Sequence, residues 1–173
     1  MFFNKIKQSE LKKEFERLLK NEKTRTSSDK IIKNVAILAS EDISLAHNLQ
    51  YYLESCFNFS KSDIYVYRKS DKKKSLSALY FSEDTIGKNG EIFNESFKDF
   101  LQYPFDLLVT FFDKKNLYLE YVTLYSKADF KVGFAGVNSE LFDLEILTSI
   151  SNIKVYNKEI KKYMQLLNKL KPV

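Results

Sequence analysis

Residues 105–136, FDLLVTFFDKKNLYLEYVTLYSKADFKVGFAG, hold two apolar runs on either side of one helical repeat, and no other stretch limits the fold so tightly. Phe105, Leu107, Leu108, Val109, Phe111 and Phe112 form a nearly unbroken apolar strand, the pattern of a parallel strand covered on both faces. Asp113 ends it. Over residues 116–127, Leu117, Tyr121 and Leu124 recur at helical spacing, with Leu119 and Val122 widening the stripe. A second strand at 130–134 must then lie parallel to the first, by a right-handed crossover. The unit predicts an α/β sheet with its centre near these two strands.

The rest of the chain supplies further strands and helices. NVAILAS at 34–40 predicts a central strand. Leu45, Leu49, Tyr52, Leu53 and Cys56 predict one helix over 43–57, opened by Ser40 or Asp42 as the capping residue, with Cys56 on its buried side and His47 off the stripe. DIYVYRK at 63–69 and ALYFS at 78–82 predict two more strands. The short connection between them allows a hairpin, but a parallel edge strand reached through an irregular loop is the preferred reading. Lys72, Lys73 and Lys74 in that connection read as a solvated turn. After the loop at 83–90, Phe93, Phe97, Phe100 and Leu101 make a helix that stops before Pro104. Residues 141–147 alternate as an edge strand with one wet face. A last helix is expected from Asn157, burying Ile160, Met164, Leu167 and Leu170 and turning Lys158, Lys161, Lys162 and Lys169 outward.

Together these elements predict a three-layer, Rossmann-like α/β domain. It has a mostly parallel sheet of five or six strands, helices on both faces, and a basic amphipathic helix in front. The strand at 35–39 is placed centrally. The strands at 64–68 and 78–81 lie to one side of it, and those at 105–112, 130–134 and 141–147 to the other. Residues 1–33 are read as basic helix and linker, and residues 34–173 as the single domain. At 173 residues, 44% hydrophobic and 29% charged, the chain can bury a core of its own.

Charge divides the two parts. Residues 1–33 carry ten Lys or Arg against five acids, which leaves eighteen of each sign elsewhere, so the whole net +5 belongs to the N-terminal segment. Leu11, Phe15, Leu18 and Leu19 form its apolar stripe. Lys12, Lys13, Arg17 and Lys20 on its polar side are candidate contacts for an acidic protein, RNA or an anionic membrane surface. The alternative is a helix that packs on the body with a solvated basic face.

Chemistry is sparse. One His and one Cys cannot build a histidine or cysteine metal cluster, no G-x-S-x-G nucleophile elbow occurs, and the turn ASEDIS lacks the glycines of a dinucleotide fingerprint. No catalytic residue, metal or cofactor is expected. Open α/β sheets place ligands at the C-terminal ends of their strands. That rule makes Ser40, Glu41, Asp42, Asp113, Lys114, Gly136 and Asn138 the candidate crevice. A lone Cys56, no apolar run of membrane-spanning length and no secretory signal predict a cytoplasmic protein. The oligomeric state is not readable.

FDLLVTFF, SKADFKVGF and LFDLEI, ahead of YMQLLNKL, resemble an uncharacterised family of small bacterial α/β proteins, which brings no known activity. FDLLVTFF followed by a helix and SKADFKVGF is also distantly similar to the N-terminal half of heptosyltransferase-type glycosyltransferases of the GT-B class. That second resemblance implies a glycosyltransferase-related enzyme whose sugar-nucleotide donor sits on another domain. The function expected first is a non-catalytic binding or protein-interaction module. A small-ligand or glycosyltransferase-related enzyme is the alternative, and RNA binding through the N-terminal helix the second alternative.

Overall fold

A computed structural model describes residues 2–22, 26–59, 61–70 and 79–170, with side chains from residue 5 onward. Six strands form one sheet: β1 (Val35–Ser40), β2 (Ser62–Tyr67), β3 (Tyr80–Phe81), β4 (Leu107–Phe111), β5 (Phe130–Phe134) and β6 (Leu144–Ile146). Their order is β3-β2-β1-β4-β5-β6, and every pairing is parallel. This is the order expected from the sequence. Tyr80 pairs with Val66 in parallel register, so the connection from β2 leads to an edge strand and not to a hairpin. Residues 71–78, with Lys72, Lys73 and Lys74, lie outside the described residues.

The apolar runs explain the sheet centre. Every residue of β4 and of β5 is buried, as two-sided cover requires. Helices α1 (Phe2–Glu22), α2 (Glu41–Ala46), α3 (Leu49–Phe57), α4 (Glu95–Gln102), α5 (Leu117–Tyr125) and α6 (Ile153–Leu166) supply that cover. Neighbouring residues of β2 show the two sides. Tyr65 packs against Phe97 and Phe100 of α4, while Ile64 faces the connection between α2 and α3. On α6, Tyr156 stacks on Phe134 at 3.9 Å and donates its hydroxyl to the Thr110 carbonyl at 3.0 Å. Gly133 leaves room for the Phe142 ring, since a Cβ there would lie 2.2 Å from its Cζ.

Several local expectations are corrected. The helix expected over 43–57 is two helices: His47 is extended, and Asn48 restarts the chain by accepting the Tyr51 N–H at 3.1 Å. Leu45 is therefore 73% exposed, although it shares the sequence stripe, and Cys56 is only half-buried. The final helix starts four residues before Asn157, after Asn152, because Ile153 and Tyr156 also reach the core; Asn157 is buried inside it. Beyond its end Lys169 is buried and not outward, with its ammonium on the Ser28 carbonyl and 5.0 Å from the Phe130 ring centre. Phe93 precedes the Asn94 cap of α4 and is exposed. The edge strand near 141–147 is confined to β6, three residues long.

The segment between α1 and β1 is fastened to the N-terminal end of the sheet. Asp106 accepts the N–H groups of Lys33 and Asn34, both at 2.9 Å, and Asp129 accepts the N–H and hydroxyl of Ser28. The Ile32 N–H reaches the Lys169 carbonyl at 2.8 Å. No described helix is long and apolar enough to cross a membrane.

Candidate functional site

The chain leaves β1 toward β2 and leaves β4 toward β5, so the connections diverge between β1 and β4, where an open α/β sheet forms its crevice. A cleft of about 390 Å³ lies there. Ser40, Glu41, Asp42, Asp113 and Lys114 all line it, together with Tyr67, Lys69, Phe112, Lys115, Asn116 and Leu119. Five of the seven crevice residues expected from sequence are thus brought together by the ends of β1 and β4.

Each wall has a local cause. Ser40 precedes α2, but its hydroxyl makes no cap bond. Asp42 is not the cap either; it stands exposed in the first turn of α2. The Glu41 carboxylate turns to the Arg68 guanidinium, which also lies 3.8 Å above the Tyr80 ring centre. Tyr67, at the end of β2, donates its hydroxyl to Glu83 at 3.1 Å and lies parallel to Tyr118 at 6.1 Å. Burial, then the Glu83 charge, pushes the Tyr67 phenol well above its ordinary range.

The start of α5 is closed from inside. Asn116 accepts the N–H groups of Tyr118 and Leu119 at 3.0 and 3.2 Å. Its own N–H donates to Glu120 at 2.9 Å. The second carboxylate oxygen of Glu120, a buried residue, accepts the Asn138 side-chain N–H at 3.2 Å. Asn138 and Gly136 do not line the cleft. Asn138 steadies the carboxylate that closes the helix, and Gly136 holds a φ of +90° with open space where a Cβ would point. Both follow β5, one strand removed from the divergence. Sequence reasoning missed Asn116, Glu120 and Tyr67. Only Asn116, an Asn directly before an apolar helical repeat, carried a local signal.

The partner candidates stand on α1. Leu11 and Phe15 are buried in the core, and α1 rests on α5. Lys12, Lys13, Arg17 and Lys20 are all exposed. Lys13 pairs with Glu10 at 2.9 Å and Arg17 with Glu14 at 2.6 Å. The Arg17 bonds draw the Glu14 carboxyl below its usual range. Among the described residues Lys12 and Lys20 have no ion-pair partner. At the other end of the helix Lys7 donates to the Glu83 carbonyl, which ties α1 to the β3 side of the cleft wall. No group of three or more described His, Cys, Asp or Glu side chains is placed to hold a metal ion.

A family model described as a family of unknown function, DUF6913, matches residues 7–167, and the chain belongs to that family. No curated protein and no solved structure matches, so the likeness to heptosyltransferase-type enzymes finds no support there.

Proposed function

We propose that this member of a family of unknown function is a non-catalytic interaction module that recruits an acidic protein surface through the outer side of α1. The observation that carries the reading is the seating of that helix. Leu11 and Phe15 anchor it in the core, while Lys12, Lys13, Arg17 and Lys20 stand outward on the segment that holds the entire charge excess. Charges on an anchored helix are preorganised, so less ordering opposes association.

A protein partner fits better than the other anionic classes. The apolar stripe of α1 is engaged by the body, which removes the side that would enter a lipid interface. Glu10, Glu14 and Glu16 interleave with the cations. Such a mixed pattern complements an acidic protein surface interspersed with cations and opposes a continuous phosphate backbone. The turn after β1, where Rossmann-like enzymes hold a phosphate, has no glycine and carries Glu41 and Asp42 instead, which supports a non-catalytic role.

The test measures fluorescence anisotropy of three labelled probes against the full chain: a peptide rich in Asp and Glu with interspersed Lys, poly-uridylate, and phosphatidylserine vesicles. The expected outcome is peptide binding that weakens with salt and is lost in Lys12→Glu/Lys13→Glu/Lys20→Glu, with the unfolding midpoint unchanged. Peptide binding indifferent to the charge reversal overturns the reading. So does preferential binding of the RNA or the vesicles.

A further inference from the structure

We propose that the cleft between β1 and β4 is a binding site for a small zwitterion of amino-acid or dipeptide size. The inference stands apart from the reading of α1 and rests on how the charges of the cleft are disposed. Its volume of about 390 Å³ falls within the range of small-molecule sites. Phe112, Leu119 and the Tyr67 ring give it an apolar wall.

The charged lining sorts into committed and uncommitted groups. Glu41 is committed to Arg68. Asp42 and Asp113 make no hydrogen bond or ion pair with any described residue, and neither do Lys69, Lys114 and Lys115. The cleft therefore offers two carboxylates and three ammonium groups, all drawn from the ends of β1, β2 and β4. A plain anion seated here would lie beside Asp42 and Asp113. A plain cation would lie beside three lysines. A molecule with a carboxylate and an ammonium meets both signs at once, and its side chain rests on the apolar wall.

Phosphate esters are disfavoured by a separate feature. The turn after β1, which cradles phosphate in related architectures, carries Glu41 and Asp42 in place of glycines, and at the start of α5 the Tyr118 and Leu119 N–H groups already donate to Asn116. The groups that the cleft offers a ligand at both signs are the lysine and aspartate side chains. That chemistry suits a carboxylate and an amine.

The experiment uses the full chain, with thermal unfolding and amide NMR as readouts. The probes are the twenty common amino acids and a set of alanine-led dipeptides. Controls are the matched amines and acids that keep one charge, together with inorganic phosphate. The expected result is a concentration-dependent rise in unfolding midpoint with at least one zwitterion, with shifts in the amides of Ser40, Asp113 and Lys114. Its one-charge analogues should bind roughly tenfold more weakly. Lys114→Ala/Lys115→Ala and Asp113→Asn should each weaken the zwitterion by roughly tenfold while leaving the ligand-free midpoint in place. No response to any zwitterion overturns the proposal. Phosphate or a one-charge analogue binding as tightly overturns it as well. The α1 charge reversal should leave zwitterion binding untouched, so this result and the one for α1 fail separately.

Discussion

At the N-terminal end of the sheet Asp106 and Asp129 hold the chain together, accepting the N–H groups of Ser28, Lys33 and Asn34. At the C-terminal end Asp42 and Asp113 touch no described partner. The lysines follow the same division. Lys169 is buried at the first end, on the Ser28 carbonyl, whereas Lys69, Lys114 and Lys115 stand exposed around the cleft at the second. Asp106, Asp129 and Lys169 satisfy backbone groups at one end, whereas at the other, Glu41 apart, the charges lining the cleft are left available. The residue types in this chain therefore do not mark the site; their hydrogen-bond status does.

The largest effect is expected at the closed end. Asp106→Ala/Asp129→Ala removes the acceptors of three backbone N–H groups and one hydroxyl, and should cost about 3 kcal/mol in denaturant unfolding. A loss below about 0.5 kcal/mol would show that water replaces both carboxylates and that the closed end is not a fastening. Glu120→Ala should have the next largest effect. Glu120 lies near the open end but is buried and bonded to Asn116 and Asn138, so its removal should cost about 2 kcal/mol. Asn138→Ala should reproduce part of that loss, because it leaves one oxygen of the buried carboxylate unpaired.

The sheet was legible because β1, β4 and β5 are buried on both faces, so their sequences are apolar apart from Ser40, Thr110 and Lys131. The break at Asn48 was not, since hydrophobic spacing records the phase of a helix and not its continuity; Leu45 and Leu49 share a phase across the gap. The same limit moved the start of α6, where Ile153 continues the stripe four residues ahead of Asn157. Within the site, Ser40, Glu41, Asp42, Asp113 and Lys114 were legible because they adjoin the ends of β1 and β4, and the strand order placed those ends together. Asn138 was assigned to the cleft by the same rule, but it follows β5. Its contact with Glu120 spans 18 residues and leaves no trace in local pattern.

A smaller effect separates the cleft wall from the core. The Tyr67 and Tyr156 phenols are both pushed upward, mainly by burial, from an unfolded value near 10. A phenol whose folded pKa is raised keeps the folded state's advantage below the unfolded pKa, and that advantage declines as pH rises through the folded value. Unfolding stability should therefore fall above about pH 10. Tyr67→Phe should cost about 1 kcal/mol at neutral pH through the lost bond to Glu83 and should flatten part of the alkaline decline. The decline due to Tyr156 remains. An unchanged alkaline limb in Tyr67→Phe would place Tyr67 in contact with solvent and remove it from the wall.

The smallest expected effect is the most demanding, because it asks the open end to behave as open. Asp113→Ala deletes an exposed carboxylate with no described partner, so its cost in denaturant unfolding should stay within about 0.5 kcal/mol. The same change at Asp129 removes the acceptor of the Ser28 N–H and hydroxyl. If Asp113→Ala costs as much as Asp129→Ala, then Asp113 is a structural group like its counterpart below the sheet. The two ends would no longer differ in kind, and the cleft would lose one of the two carboxylates on which its selectivity for a zwitterion depends.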